Sequence, residues 1–238
     1  MKLLAIESSG LVASAAVFAD DTIVAEFTVN NKQPHSQTLL PMIDQVVTMS
    51  GIDLKEIDAI ATTSGPGSFT GLRIGAATAK GLGLALHKPI VPITTLEALA
   101  FRLAGREGNI CPMMDARRNQ VYAGVYRVGD MLLECVTGQK AVSIEDYIAE
   151  LNDLGDPVTV LGDGVPVFQE KIKQCEGLLY RFCADSVRYQ RASSVTALGK
   201  KYYEQGRQMK AAEFAPMYLR LSQAERERME KENITTRS

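Results

Sequence analysis

The sequence predicts a duplicated α/β fold with two lobes, each built on a mixed β-sheet with flanking helices. Two observations lead to this prediction. Three stretches of alternating apolar residues open the chain and are followed by helical patterns, and the same order of elements recurs after residue 105. We therefore place an N-terminal lobe at 1–104, a C-terminal lobe at 105–222 and a charged tail at 223–238.

The first lobe is expected to open with a meander of three strands and a helix. The strands cover 2–8, 12–18 and 22–29, and a tight turn at Asp20 and Asp21 joins the last two. The helix is predicted from five apolar residues at helical spacing: Leu39, Leu40, Ile43, Val46 and Val47. Its expected N-cap is Ser36 or Thr38, and Gly51 is expected to end it.

The same lobe continues with a buried strand at 59–63, a glycine-rich turn and a second helix that runs to Leu86. A short strand at 89–93 follows. Thr94 and Glu97 then form a capping box for a third helix, which ends before Gly105.

The second lobe repeats this plan. Strands are predicted at 110–114, 120–128, 131–142 and 158–161, with a turn at Gly129 and Asp130. Helices are predicted after Ser143 and from Ser194 to Gln205, with both serines as N-caps. Three meandering strands followed by a helix, twice over, is the pattern of the duplicated ribonuclease H-like fold that actin-like ATPases and sugar kinases share.

The charge of the chain argues against an RNA-binding protein that acts alone. Its net charge is −2, and neither half has an excess of basic residues, whereas phosphate contacts supply most non-specific RNA affinity. Any role with RNA therefore depends on a partner. The most apolar long window, 71–86, contains Arg73 and Lys80, and the four cysteines are far apart, so we expect a cytoplasmic protein with no membrane span and no metal site.

The most distinctive segment is the glycine-rich turn and helix start at 65–75. It lacks the spacing of a Walker A loop and of a dinucleotide-binding motif, so we favour close packing over phosphate binding. Gly71, Gly75, Ala79 and Gly83 recur every four residues, and this bare face predicts that a helix from this chain or another packs against it. The predicted partner interface comprises Leu39, Leu40, Ile43, Val46, Val47, Gly71, Ile74, Gly75, Ala79, Leu82 and Gly83.

Two polar turns are candidate sites for a ligand or a partner. The first strand ends in Glu7, Ser8 and Ser9, where actin-like folds often keep an acid and small hydroxyl residues near phosphate. A later strand-to-strand turn contains Asp115, Arg117 and Arg118, which could face a phosphate or a carboxylate. The alternative for this second turn is a solvated ion pair worth under about 1 kcal/mol. His35 is expected to form a local hydrogen bond at a helix entrance.

Five segments in order along the chain resemble the TsaB family: 4–9, 35–41, 65–75, 114–122 and 216–220. The resemblance implies an actin-like two-lobed fold, a cytoplasmic location and assembly with the larger homologue TsaD, or with a second copy when TsaD is absent. It implies TsaE as a further, ATP-binding partner. In that system TsaD modifies the adenosine next to the tRNA anticodon, so this chain would be a non-catalytic subunit that meets tRNA indirectly.

One departure from TsaD supports the non-catalytic role. TsaD has a His-x-x-x-His pair of metal ligands, and the matching positions here are Thr95 and Leu99, which cannot replace two imidazoles. A metallopeptidase is therefore the least favoured function. Glu7 stands where many relatives have Asp, which leaves weak ATP or ADP binding open. The alternative to the subunit is a free-standing actin-like ATPase or small-molecule kinase, which would need phosphate loops in both halves.

Overall fold

The computed structural model describes residues 1–129 and 133–220, which contain two five-stranded sheets. The strands of the first sheet are β1 (Lys2–Glu7), β2 (Ala13–Ala19), β3 (Thr22–Val29), β4 (Ala59–Gly65) and β5 (Ile90–Thr94). They lie in the order β3-β2-β1-β4-β5. The first three strands form an antiparallel meander, and β4 and β5 continue the sheet in parallel with β1.

The second sheet repeats this topology. Its strands are β6 (Asn109–Asp115), β7 (Gln120–Val128), β8 (Leu133–Ser143), β9 (Val158–Leu161) and β10 (Tyr180–Phe182). They lie in the order β10-β9-β6-β7-β8, again with a three-strand meander and two parallel strands. The predicted duplicated actin-like fold is therefore confirmed.

Six α-helices in the described part of the chain cover the two sheets. They are α1 (His35–Ser50), α2 (Phe69–Leu86), α3 (Thr95–Phe101), α4 (Ile144–Asp153), α5 (Val165–Lys173) and α6 (Ala192–Glu204). Because side chains alternate across a strand, Leu4 and Ile6 of β1 pack under α1 and α2, whereas Leu3 and Ala5 pack under α3 and α6. Helices α3 and α6 thus lie between the two sheets, and α4 and α5 cover the outer face of the second sheet.

The predicted helix ends are partly correct. Thr94 and Ser143 cap α3 and α4, and each side-chain oxygen accepts a backbone N–H three residues later. The predicted caps of α1 and α6 are wrong. Pro34 precedes α1 without a side-chain cap, so Ser36 lies inside the helix. Ser194 is a buried residue within α6, because that helix already begins at Ala192 to cover the first sheet.

Helix α5 and strand β10 were not predicted, because nine and three residues give little periodic signal. The lobe boundary also differs from the prediction. Helix α6 packs on the first sheet, where a Cβ on Gly199 would lie 2.7 Å from that of Ala61. Met209 then pairs with Ile90 of β5, so the chain returns to the first lobe before residue 222.

The predicted tail at 223–238, and the beginning of the strand predicted at 131–142, lie outside the described residues. Within 1–129 and 133–220, no helix is both long enough and apolar enough to cross a membrane.

Candidate functional site

A cleft of about 560 Å³ separates the two lobes at the carboxyl ends of β1 and β6. The turn after β1, the start of α2 and the turn after β6 form its walls. The C-terminal segment 217–220 closes one side. The polar side chains of the lining are Ser9, Ser68, Thr70, Asp115, Arg117, Arg118, Tyr122, Asp163, Tyr218 and Arg220.

Glu7 and Ser8 are directed into the protein rather than into this cleft. Glu7 is 0% exposed, and its Oε1 accepts hydrogen bonds of 2.6 Å from both the N–H and the hydroxyl of Ser9. Burial raises the pKa of the Glu7 carboxyl to about 7, although the hydrogen bonds from Ser9 oppose the increase. The Ser8 hydroxyl donates to the carbonyl of Gly71. Of the three residues predicted as ligand contacts in this turn, only Ser9 lines the cleft.

The first two glycines of the stripe on α2 pack against the chain that follows β1, not against another α-helix. A Cβ on Gly71 would lie 2.2 Å from the carbonyl oxygen of Ser8, and one on Gly75 would lie 2.2 Å from the Ser8 hydroxyl. Further along, a Cβ on Gly83 would lie 2.8 Å from that of Ala211. The prediction of a neighbouring helix on this stripe is therefore wrong, because the small residues are needed for the helix to approach a strand end.

At the start of α2, some of the backbone N–H groups that could bind a phosphate are already hydrogen-bonded within the protein. The N–H of Ser68 donates to the carbonyl of Ser9 at 2.7 Å, and a Cβ on Gly67 would lie 2.2 Å from the same oxygen. The Ser68 hydroxyl accepts from the N–H of Gly71. Two of the N–H groups that could hold an anion at this helix start, those of Ser68 and Gly71, are thus already paired inside the protein.

The turn after β6 is rigid at its base and exposed at its tip. The Asp115 carboxylate accepts a hydrogen bond from the N–H of Arg117 at 2.8 Å and pairs with its guanidinium at 3.2 Å. Arg117, Arg118 and Asn119 all have left-handed backbones, with φ of 62°, 54° and 58°. The Asn119 amide donates to Glu145 and accepts from Lys171, which fixes the turn. Both predicted arginines line the cleft with exposed side chains.

Two buried polar residues of the site were missed by the sequence reasoning. Asp163 accepts a hydrogen bond from the N–H of Asp115 at 3.2 Å, and burial raises the pKa of its carboxyl to about 6. Gln190 is 1% exposed and packs on Gly10, where a Cβ would lie 2.6 Å from the amide nitrogen. The run Gly162-Asp163-Gly164 was the available signal for Asp163, whereas Gln190 has no sequence signal.

The entrance of α1 is tied to the same region. Nε2 of His35 lies 2.9 Å from the carbonyl oxygen of Gly10. His35 does form a hydrogen bond at the helix entrance, as predicted, but its partner is 25 residues away in the turn after β1. This contact fixes the start of α1 relative to the cleft.

The segment 217–220 links the lobes across the cleft. The N–H of Met217 donates to the carbonyl of Ser64 in the first lobe at 2.6 Å, and Arg220 donates to the carbonyl of Ala116 in the second at 2.6 Å. Between them, the ring of Tyr218 lies 4.5 Å from that of Phe69, centre to centre. The guanidinium of Arg73 lies 3.9 Å from the centre of the Phe69 ring.

The chemistry of the cleft is limited. Of the two acids that line it, Asp163 is buried and Asp115 is paired with Arg117. Across 1–129 and 133–220, no group of three or more His, Cys, Asp or Glu side chains is arranged to hold a metal ion. Thr95 and Leu99, which the sequence resemblance matches to the TsaD histidines, are both 0% exposed in the core between the lobes. The arginines can bind an anion at the mouth of the cleft.

Most residues of the predicted partner interface are buried in this chain. Seven of them lie on the inner faces of α1 and α2, where they are buried against the rest of the chain: Leu39, Ile43, Val46, Gly71, Gly75, Ala79 and Gly83. Leu40 is 57% exposed, and Val47, Ile74 and Leu82 are half-buried. Leu84 adds a further exposed apolar side chain on α2. An apolar surface on α1 and α2 therefore exists, but it is narrower than predicted.

Comparison with known proteins agrees with this architecture. A family model described as TsaD, tRNA N6-adenosine threonylcarbamoyltransferase, matches residues 22–228. A Bacillus subtilis protein named tRNA threonylcarbamoyladenosine biosynthesis protein TsaB is 32% identical over 228 residues, which cover 94% of this chain and 96% of that protein. The Escherichia coli protein of the same name is 29% identical over 223 residues, with coverage of 92% and 95%.

A solved structure from Pseudomonas aeruginosa, described as an uncharacterized protein with similarity to peptidase YEAZ, has the same fold. It aligns with a TM-score of 0.78 at 25% identity and covers 92% of this chain and 99% of that one.

Two lobes with the same strand order around a shared cleft define an actin-like α/β protein. Within that class, the coverage and identity of the relatives are decisive. The chain belongs to the TsaB family and to the wider family that the TsaD model describes.

Proposed function

We propose that this chain is a non-catalytic subunit in the biosynthesis of threonylcarbamoyladenosine in tRNA, and that it acts in the cytoplasm by binding TsaD. The TsaB relatives support the pathway. One structural observation carries the non-catalytic role: α3 presents buried Thr95 and Leu99 where the resemblance to TsaD would require two histidine ligands. The chain keeps the fold of a transferase relative without that ligand pair.

The surface proposed for TsaD is the outer side of α1 and α2. Its apolar side chains are Leu40, Ile74, Leu82 and Leu84, and the small residues Ala77 and Gly81 of α2 are exposed between them. Small residues let the backbone of a second helix approach closely, which increases dispersion contacts. When TsaD is absent, a second copy of this chain could occupy the same surface.

A charge on this surface tests the proposal. Ala79 is 0% exposed, so a large residue there would disrupt the core rather than report on binding. Leu40→Arg instead places a cation on the exposed side of α1, and we expect it to abolish co-elution with TsaD. Met49→Arg is the matched control, since Met49 is 73% exposed on the same helix but lies about half a turn around the axis from Leu40. Unchanged co-elution of Leu40→Arg would reject this surface.

Reconstitution tests the function itself. The chain is mixed with TsaD, TsaE, the threonylcarbamoyl adenylate donor and unmodified tRNA, and the modified nucleoside is measured with and without the chain. We expect modification to depend on the chain. Equal modification in its absence would contradict the subunit role.

The proposed subunit needs no cofactor of its own, but the cleft can accept a weakly held ADP or ATP. The volume of the cleft and the exposed Arg117 and Arg118 suit a phosphate at its mouth. The N–H groups of Ser9 and Ser68 already donate to Glu7 and to the Ser9 carbonyl, so they are not available to hold the phosphate more tightly. Calorimetry with ATP and magnesium is therefore expected to give weak binding. Tight binding that Arg118→Ala removes would favour the ATPase or kinase alternative instead.

A further inference from the structure

A second depression lies at the junction between the lobes, outside the cleft. Residues 102–107, which connect α3 to β6, form one side of it, and Arg181 of β10 forms the other. Three arginines line it: Arg102, Arg106 and Arg181. The overall charge of the chain is −2, so this concentration of cations is not expected from the composition.

These three arginines lack the counter-ions that neighbouring arginines have. Arg188 forms an ion pair with Asp185, and Arg191 pairs with Glu26 at 3.6 Å. Within the described ranges, no carboxylate lies within 4 Å of any of the three arginines in the depression. Glu107 is the acidic residue of the lining, so the depression retains an excess of two positive charges.

Arg102 is the most constrained of the three. Its side chain is partly buried and donates to the carbonyl of Ser186 at 3.1 Å. Burial, followed by repulsion from Arg191, lowers the pKa of its guanidinium, and attraction to Glu26, which pairs with Arg191 rather than with Arg102, only partly opposes the decrease. A partly buried cation without a paired anion is unfavourable, and a bound anion would offset this cost.

We propose that this depression binds phosphate groups of an RNA backbone. Arginine forms bidentate hydrogen bonds with phosphate and remains charged at all physiological pH values, so three arginines around one open depression fit a phosphodiester chain. The choice of RNA over another polyanion rests on the proposed function in tRNA modification. The chain would then contribute directly to tRNA binding within its complex, which its overall composition does not indicate.

The location of the depression is compatible with the complex. It lies beside the first residue of β6, whereas the cleft lies at the last, roughly 20 Å away along a seven-residue strand. It also follows α3, which covers the opposite face of the first sheet from α1 and α2. RNA can therefore contact the arginines while α1 and α2 hold TsaD.

Binding of fluorescently labelled tRNA to the complex of this chain with TsaD tests the inference. The double variant Arg106→Glu and Arg181→Glu changes the two more exposed arginines and leaves Arg102 in place. If each arginine makes one phosphate contact, affinity should fall roughly 30-fold at 0.1 M salt, and the slope of log affinity against log salt should decrease by about 1.5. The control, Lys32→Glu and Lys55→Glu, reverses two exposed lysines of the first lobe and should change neither quantity.

The outcomes separate this inference from the proposed function. Unchanged affinity and salt slope in a complex that still forms would overturn the inference and leave the proposed function intact. Loss of co-elution with TsaD, with tRNA affinity of the remaining complex unchanged, would instead assign the arginines to an acidic protein surface and overturn RNA binding.

Two further measurements complete the test. If inorganic phosphate raises the melting temperature of the wild-type chain as strongly as tRNA does, and tRNA affinity does not respond to the double variant, the depression is a free-phosphate site and the inference fails. If no complex with TsaD forms, the proposed docking fails. In that case, tRNA affinity is compared between the wild-type chain, the double arginine variant and the lysine control, each alone at 20 mM salt. A lower affinity of the arginine variant alone would support RNA binding at the depression, and equal affinities would contradict it.

Discussion

Replacing Glu7 with glutamine should change how the stability of this protein depends on pH. The Glu7 carboxyl is completely buried, and its pKa is raised from 4.5 to about 7 by burial. The folded protein therefore holds a proton that the unfolded chain has already released at intermediate pH. Because the folded state binds more protons, the contribution of Glu7 to stability falls as the pH rises through this window.

The two pKa values give the size of the effect. Between pH 5 and pH 8, the free energy of unfolding that depends on Glu7 should fall by about 2.5 kcal/mol. Glutamine has nearly the same shape, its amide oxygen can accept both hydrogen bonds from Ser9, and it does not ionise. The difference in stability between Glu7→Gln and wild type should therefore increase by this amount from pH 5 to pH 8, in favour of the variant.

Urea unfolding of both proteins at several pH values measures this difference. Asp44→Asn is the matched control, since Asp44 is an exposed carboxylate in the same lobe. Its difference from wild type should stay within about 0.5 kcal/mol over the range. A Glu7→Gln difference that is flat, or that falls as the pH rises, would refute the argument that Glu7 is a desolvated acid.

Four other substitutions test close packing, a helix cap and a buried hydrogen bond. Gly71→Ala should destabilise the protein by about 1–3 kcal/mol, because its Cβ meets the Ser8 carbonyl, whereas Gly81→Ala on the same helix meets nothing within 4 Å and should stabilise it by up to about 1 kcal/mol. Equal thermal shifts for the pair would contradict this difference. Ser143→Ala removes the N-cap of α4 and should cost about 1 kcal/mol in urea unfolding. Tyr147→Phe removes the buried hydrogen bond to the Gly124 carbonyl and should cost about 1–2 kcal/mol; no change in the melting temperature would show that the bond contributes little.

The duplicated topology could be predicted from local patterns. Strands such as β3 and β7 were placed at their observed bounds, because their alternation and the turns beside them depend only on neighbouring residues. The caps at Thr94 and Ser143 were predicted for the same reason. The α1 and α6 caps were wrong because packing on the first sheet, rather than a side-chain oxygen, sets where those helices begin.

The candidate site was predicted less completely. Ser9, Asp115, Arg117 and Arg118 were identified from their turns and do line the cleft. Asp163 and Gln190 were not, because each is distant in sequence from the residue it lies beside, Asp115 and Gly10 respectively.

By itself, the sequence predicted most of the strands and helices and the repetition of the plan, and the resemblance to TsaD placed Thr95 and Leu99 at the histidine positions. Only the tertiary structure decided which small or polar residues face solvent. The stripe from Gly71 to Gly83 suits any close neighbour, and its spacing is the same whether that neighbour is a partner helix or the carbonyl of Ser8. Local spacing defines a helix face, but the elements brought against it from elsewhere in the chain determine what that face contacts.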